Sequence, residues 1–118
     1  MPELPDVEIF KQEAEKALHR RIKDVHIRDR DFVQASRCAF NQRIIGKELQ
    51  GVRRKGKYLF LETGDQSAVV LHFGMTGLLK YVTEEEAAPE YVKLTFELDN
   101  RHHLHYISKR KLGRVEIT

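Results

Sequence analysis

The second and third residues of this chain could carry out covalent chemistry. Pro2 follows the initiator methionine, and a small residue there generally permits removal of the methionine, which leaves proline with a free secondary amine. An α-amino group has a pKa of roughly 7.7 to 8.0, so a useful fraction is unprotonated near neutral pH. Such an amine can attack an aldehyde-level carbon and form a charged iminium, an electron sink of the kind used in Schiff-base catalysis. Glu3 could move the protons that this reaction requires.

Removal of Met1 is a condition for this chemistry. While Met1 is attached, the nitrogen of Pro2 belongs to a tertiary amide and cannot act as a nucleophile. Met-Pro-Glu is also an ordinary start before a helix, so the interpretation depends on the rest of the chain.

A helix follows these residues at once. Pro5 suits a first helical position, acidic residues occupy the first turn, and residues 19–21 place basic side chains at the end, as the helix dipole favours. A second, shorter helix is predicted from about Ser36 to Ile45, with Gly46 stopping it. The first helix is predicted over residues 5–20 because apolar residues recur there every three or four positions, at Val7, Phe10, Ala14, Ala17 and Leu18.

Most of the remaining chain has the pattern of strands. Gly64-Asp65 and Asp99-Asn100 are typical of hairpin tips, and Glu84–Pro89 is typical of an exposed loop. We therefore predict a mainly β protein with helices: a two-sheet antiparallel β-sandwich of about eight strands in one domain, residues 1–118, flanked by an amino-terminal helix and a second short helix. The predicted strands are Ile22–Arg28, Glu48–Arg53, Tyr58–Thr63, Ala68–Phe73, Leu78–Val82, Val92–Leu98, His102–Ile107 and Gly113–Ile117.

Composition excludes several classes of protein. A chain of 118 residues that is 41% hydrophobic and 33% charged is typical of one compact domain with its own core. No apolar run approaches the roughly 20 residues that span a bilayer, and the amino terminus is too acidic for a signal peptide. Cys38 is the sole cysteine, which excludes an internal disulfide and a cysteine-based zinc finger within these residues. We expect a cytoplasmic protein with no contact to membranes.

The distribution of charge is more informative than its sum. The 21 basic and 18 acidic residues give a net charge of +3. Basic residues concentrate at 53–57 and 101–114, whereas acidic residues concentrate at 84–90. Such segregation indicates a cationic surface suited to phosphate, although a solvated run of charge is the alternative for any one cluster.

Four segments share their order and spacing with one family. They are MPELPDVE at the start, RRKGKYLFL at 53–61, HFGMTG at 72–77 and YISKRKLG at 106–113. Together they resemble the amino-terminal catalytic domain of the formamidopyrimidine-DNA glycosylase and endonuclease VIII family of base-excision repair enzymes. The resemblance covers almost the whole chain, and Leu4-Pro5 favours the formamidopyrimidine branch.

The resemblance implies a bifunctional DNA glycosylase and abasic-site lyase that removes oxidised purines, 8-oxoguanine and formamidopyrimidines, from double-stranded DNA. Pro2 would attack C1′ of the damaged nucleotide, and Glu3 would assist opening of the sugar ring. Lys57 would contact phosphate and the lesion, and His72 would bind a phosphate at the flipped nucleotide. Asp6 stands where the family usually has a catalytic glutamate, so its carboxylate is shorter by one methylene.

The family must also rotate the damaged base out of the duplex, which costs a few kcal/mol of unstacking. By resemblance, Met75 is the wedge that fills the vacated space and Arg110 pairs with the orphaned base. Leu112, where the family often has phenylalanine, would push between base steps. Lys111 and Arg54 would contact the DNA backbone.

Two departures from the family affect the expected activity. Ser108-Lys109 replaces an Asp-Pro before Arg110. The helix-two-turn-helix domain and the zinc or zincless finger of the family have no counterpart within these residues, so we expect no zinc or other cofactor in this chain. We expect a monomer whose 118 residues have weak or no glycosylase activity by themselves.

Two alternative functions stay open at this point. The first is a non-catalytic module that binds damaged or abasic DNA. The second is a tautomerase-like enzyme with proline as a general base, although such proteins have a strand that starts at the proline. A metal site at His102, His103 and His105 is not favoured, because no carboxylate or thiol partner is evident nearby, and His19 and His26 are expected at the surface.

Overall fold

The computed structural model of the protein describes residues 4–28, 42–64, 67–73, 77–87, 89–108 and 114–117. These residues form a helix and eight strands, numbered here in chain order. The elements are α1 (Leu4–Glu15), β1 (Ile22–Ile27), β2 (Leu49–Lys55), β3 (Tyr58–Thr63), β4 (Ala68–His72), β5 (Gly77–Thr83), β6 (Val92–Leu98), β7 (His102–Ser108) and β8 (Arg114–Ile117).

The predicted β-sandwich is confirmed. Each of the eight predicted strands is present, with bounds that differ by at most two residues. One sheet has the order β1-β6-β7-β5, the other has the order β2-β3-β4-β8, and every pairing is antiparallel. Asp99-Asn100 forms the turn between β6 and β7, and residues 84–87 are exposed as expected. Gly64 lies in a turn after β3, whereas Asp65 lies outside the described residues.

The core lies between the two sheets. Because alternate residues of a strand point to opposite faces, each strand contributes every second side chain to the core. The fully buried residues of β6 and β7 face those of β3 and β4. They are Leu94, Phe96, Leu104 and Tyr106 from the first sheet and Leu59, Leu61, Val69 and Leu71 from the second.

Helix α1 covers one side of the sandwich. It packs against β2 and β3 of one sheet and against β5 of the other. Since β2 and β5 are edge strands, the helix shields both from further strand pairing. Val7, Ala14 and Ala17 of the predicted apolar stripe are fully buried.

The predicted end of this helix was wrong. Residues 16–19 form turns, with bonds such as Ala17 N to Ala14 O at 2.9 Å, and His19 has a φ of 67°. The backbone continues instead into contacts with the start of β2, where His19 N donates to Leu49 O at 2.7 Å. Arg21 donates to Gly46 O at 2.6 Å, so this predicted C-terminal basic residue does not cap α1.

The second predicted helix is only partly described. Residues 42–44 are helical and a turn follows, while residues 36–41 lie outside the described residues. Gly46 has a φ of 86°, a conformation that glycine adopts without strain, so its predicted role as a stop is confirmed. Among the described residues, no helix has the length and apolar character needed to cross a membrane.

The first sheet buries a histidine on the face that points away from the main core. His105 is 1% exposed, and its Nδ1 lies 2.9 Å from Oγ1 of Thr95. Its Nε2 is buried without a hydrogen-bond partner among the described residues. Burial lowers the pKa of His105 to about 4, and the nearby charges of His103, Arg28 and Lys80 act in the same direction. His105 is therefore neutral in the folded protein at neutral pH.

This histidine predicts a loss of stability in mild acid. The unfolded chain takes up a proton near pH 6.5 while folded His105 does so only near pH 4, so the free energy of unfolding falls as pH drops between these values. The expected loss is roughly 2 to 3 kcal/mol. Urea unfolding at pH 7 and pH 4.5 measures it. His105→Gln should flatten the dependence on pH, and a slope equal to that of the parent protein would contradict the assignment.

Candidate nucleic-acid interface

One end of the second sheet collects basic and aromatic residues from four strands. In the register of the sheet, Lys55 of β2 pairs with Tyr58 of β3, Tyr58 pairs with His72 of β4, and His72 pairs with Arg114 of β8. These positions form one row across the sheet. Residues predicted from separate motifs, Lys57 beside Tyr58 and His72, are thereby brought to the same end.

The start of α1 lies at this same end. The helix runs antiparallel to β2, since His19 beyond its end bonds to Leu49 at the start of β2, and Glu8 near its start contacts Arg54 near the end of β2. Pro2 and Glu3 lie outside the described residues, but they are covalently attached to Leu4, the first residue of α1. At about 3.5 Å per residue, they can reach only a few ångströms from it. The backbone of Asp6 lies in the first turn of α1.

The turn between β2 and β3 presents Lys57. Gly56 has a φ of 61°, which favours glycine because L side chains rarely adopt this conformation. Arg54 Nη1 donates to the carbonyl oxygen of Gly56 at 3.1 Å and braces the turn from within. Lys57 is half-buried, and the ring of Tyr58 lies 5.1 Å from that of His72. The predicted lysine is thus held on a tight, internally bonded turn.

A buried tyrosine holds the backbone of His72. The hydroxyl of Tyr106, which is fully buried, donates to the carbonyl oxygen of His72 at 2.6 Å. Burial raises the pKa of Tyr106 well above its usual value, so the hydroxyl keeps the proton that it donates. The ring of Phe73 lies 5.5 Å from that of Tyr106 and 4.7 Å from that of Phe10 in α1. These contacts link the helix, β4 and β7 beneath the site.

Two segments predicted to enter DNA connect the sheets at this end. One runs from Phe73 to Gly77 and the other from Ser108 to Arg114, and Gly77 pairs with Ser108 in the first sheet. Both segments therefore leave from neighbouring strand ends. The residues predicted on them lie outside the described residues: Met75, Arg110, Lys111 and Leu112.

The cations of β2 differ in their surroundings. Arg53 and Lys55 are exposed, and the guanidinium of Arg53 lies 4.6 Å from the ring centre of Phe60 and 3.7 Å from Glu62. Arg54, by contrast, donates from Nε to Oε2 of Glu8 at 3.0 Å. Exposed cations in this position suit phosphate. Arg54, the predicted backbone contact, thus contacts α1, a pairing that no local spacing in the sequence indicates.

A possible metal-binding group lies elsewhere, on the first sheet. One ligand atom each from Asp24, His26 and Glu97 lies within 4.8 Å of the others. His26 Nε2 and Glu97 Oε2 are 3.0 Å apart; this hydrogen bond lowers the pKa of Glu97, burial opposes the shift, and the charge of Lys23 adds to it. Strand β1 is at the edge opposite β5, which packs on α1, so the group is not part of the interface.

The expectation that no carboxylate lies near the histidines was wrong. Glu97 is the register partner of His103 across β6 and β7. The spacing of Asp24 and His26 places them on one strand face, but the sequence does not indicate which residue of another strand they meet. His26 is exposed, as expected.

Known proteins resemble this chain in sequence. Residues 1–115 match the family described as formamidopyrimidine-DNA glycosylase N-terminal domain. Formamidopyrimidine-DNA glycosylase of Syntrophomonas wolfei is 36% identical over 115 residues, covering 96% of this chain and 42% of the relative. The protein of the same name from Latilactobacillus sakei is 30% identical over 118 residues, covering 99% and 42%.

Solved structures resemble the whole chain as well. Wild-type Lactococcus lactis Fpg in complex with DNA that contains N7-benzyl-Fapy-dG superposes with a TM-score of 0.92 at 30% identity, covering 99% of this chain and 44% of that protein. Lactococcus lactis Fpg with DNA that contains an abasic site gives a TM-score of 0.91 at 29% identity, with coverage of 99% and 44%. The chain thus spans less than half the length of these relatives.

Gly77 sets the start of the strand after the first connecting segment. A Cβ at this position would lie 2.2 Å from the carbonyl oxygen of Phe73 and 2.7 Å from its Cα, so backbone would have to move. We expect Gly77→Ala to destabilise the protein by about 2 kcal/mol or more. At Gly51 the nearest atom is Oε1 of Glu62 at 3.0 Å, the end of a flexible side chain. Gly51→Ala is therefore the control, and equal melting temperatures for the two variants would contradict the close approach.

Proposed function

Because the chain belongs to the family of formamidopyrimidine-DNA glycosylase N-terminal domains, we propose that it is the catalytic part of a bifunctional DNA glycosylase and abasic-site lyase. Its substrates are oxidised purines, 8-oxoguanine and formamidopyrimidines, and abasic sites in double-stranded DNA. The observation that carries the proposal is the placement of the start of α1 at the end of the sandwich that bears Lys57 and His72. Three separate sequence motifs meet there.

The proposed chemistry starts at the amino terminus. After Met1 is removed, the lone pair of the Pro2 nitrogen forms a bond to C1′, the bond from C1′ to the base breaks, and the base leaves with the electron pair of the broken bond and takes up a proton. Opening of the sugar ring, assisted by Glu3, gives the iminium. Its positive charge acidifies the proton on C2′, so loss of that proton expels the 3′ phosphate, and a second elimination expels the 5′ phosphate. The whole reaction therefore needs an amine, a carboxylate and cations that bind phosphate.

The cations of this end support binding to DNA. Lys57 and His72 are proposed to hold phosphates near the reacting sugar, and exposed Arg53 and Lys55 extend the positive surface along β2. Such contacts bind without sequence preference and weaken as salt rises. We also propose that the protein is cytoplasmic, is associated with DNA and acts as a monomer.

The two connecting segments supply the proposed wedge. Met75 would fill the space of the rotated nucleotide, Arg110 would pair with the orphaned base, and Leu112 would open the base step, with Lys111 on the backbone. Their strand anchors are neighbours, since Gly77 pairs with Ser108. A duplex that meets one segment at this end therefore lies close to the other.

One alternative loses its structural basis. The tautomerase-like function requires a strand that begins at the proline, and the chain is helical from Leu4 onward. The non-catalytic module that binds damaged DNA is still favoured by Asp6, a departure from the family, and would be favoured further by a retained Met1 that blocks Pro2. It shares the interface, so only a test of the covalent step separates it from the enzyme.

Borohydride trapping tests that step. The protein, after removal of Met1, is mixed with a duplex that contains one abasic site, which tests the amine without requiring removal of a base. We expect a reduced covalent adduct that digestion and mass spectrometry locate on Pro2. Protein that retains Met1 is the matched control and should bind the duplex but yield no adduct on Pro2. Binding without any adduct would support the non-catalytic module, and an adduct on Lys57 would contradict the assigned nucleophile.

A further inference from the structure

Arg54 of β2 contacts both α1 and the β2–β3 turn. Its Nε donates to Oε2 of Glu8 in α1 at 3.0 Å, and its Nη1 donates to the carbonyl oxygen of Gly56 in the β2–β3 turn at 3.1 Å. The next residue after that glycine is Lys57. One guanidinium thus connects the helix that follows the amino terminus to the turn that presents the proposed phosphate-binding lysine.

The pair between Arg54 and Glu8 orients α1 and the β2–β3 turn more than it stabilises the folded protein. We call it the brace. The side chains of Arg54 and Glu8 are 33% and 43% exposed, and ion pairs of this exposure generally contribute little to overall stability. Their value lies in direction, because a planar guanidinium fixes the relative orientation of two acceptors. A lysine would offer one point charge and could not reproduce both contacts in the same plane.

Glu8 lies close to the reacting end of the helix. It is four residues beyond Leu4, which corresponds to about 6 Å along the axis. A small tilt of α1 about its buried end would therefore displace the first turn, and Pro2 with it, relative to Lys57. Displacements of about 1 Å can cost a hundredfold in rate when they separate reacting groups.

Arg53, the neighbour of Arg54 in β2, has different surroundings. Neighbouring residues of a strand point to opposite faces. Both residues are exposed, but Arg53 lies over the ring of Phe60, whereas Arg54 contacts Glu8 of α1. A strand can present only one of these two arginines to any one partner.

We infer that Arg54 is a positioning residue, which acts through Glu8 and the β2–β3 turn to hold the amino terminus against Lys57, and that it is not a contact to DNA phosphate. The inference rests on the proposed function. Glu8 is then an acidic residue that supports catalysis on DNA without contacting the substrate.

Glu8→Gln separates the two roles because they affect different quantities. If Arg54 serves phosphate, removing the negative charge should leave DNA binding equal or tighter and the covalent step unchanged. If Arg54 is a brace, replacing the charged acceptor by a weaker neutral amide oxygen should slow the covalent step even when DNA saturates the protein. Single-turnover trapping of the abasic duplex with borohydride measures the rate at saturation, and fluorescence anisotropy at several salt concentrations measures affinity.

We expect both Arg54→Gln and Glu8→Gln to lower the trapping rate at saturating DNA by about tenfold. The double variant should be no slower than Arg54→Gln alone, because Arg54→Gln already removes the guanidinium that makes the shared contact. Arg20→Gln, beyond the other end of α1, is the control and should keep the parent rate. Arg53→Gln should weaken DNA affinity and reduce its dependence on salt.

Amide hydrogen exchange of α1 tests the brace without any activity. Exchange in the first half of the helix should be faster in Arg54→Gln and Glu8→Gln than in the parent, and unchanged in Arg53→Gln. If the parent protein forms no adduct, the proposed function fails while exchange still decides the brace. The inference is overturned if α1 exchange is unchanged in both brace variants, or if Arg54→Gln keeps the parent trapping rate and loses only DNA affinity.

Discussion

The antiparallel course of α1 along β2 is the constraint on which the proposed site depends. The helix must bury its apolar stripe where the edges of both sheets are open, and its far end is tied to the start of β2 through His19 and Leu49. The start of the helix can then lie only at the opposite end of β2, beside the β2–β3 turn. Leu4, to which the proposed nucleophile Pro2 is joined through Glu3, thereby lies at the strand ends that carry the phosphate-binding candidates.

Beneath this end of the sandwich, a hydrogen bond and contacts between aromatic rings add to the packing of alternate strand residues that forms the core. The hydroxyl of Tyr106 donates a hydrogen bond to the carbonyl oxygen of His72, and Phe73 packs between the rings of Tyr106 and Phe10. A buried hydroxyl without a partner would be costly, so this bond is a strong determinant of local geometry. It fixes the point at which the chain leaves β4 and crosses to β5. The close approach of Gly77 to Phe73 fixes the other end of that crossing.

Much of the fold could be predicted from the sequence because its signals are local. Strand Tyr58–Thr63 and strand Val92–Leu98 have the predicted bounds, since alternation and turn residues define them. The predicted end of α1 was wrong because the backbone near His19 forms hydrogen bonds with a segment about thirty residues away. No periodicity reports such a long-range competitor for hydrogen bonds.

The site shows the same division. The order of the motifs predicts both Lys57 and His72 as phosphate contacts. The register of β3 with β4 places the two residues at one end of the sheet. The pairing of Arg54 with Glu8 could not be predicted, since 46 positions separate the two residues and each alone has an ordinary explanation. The meeting of Glu97 with His26 and His103 depends in the same way on sheet register. Long-range contacts between charged residues are therefore what the structure adds to the sequence.

A crystal structure of the borohydride-reduced protein–DNA complex would show which nitrogen holds the sugar and which face of the protein holds the duplex. We expect a covalent bond between the nitrogen of Pro2 and C1′ of the opened sugar, with backbone phosphates beside Lys57 and His72 and with Arg54 still bonded to Glu8. A sugar attached to a lysine, or a duplex bound to a face other than the end formed by Lys55, Tyr58, His72 and Arg114, would contradict this expectation.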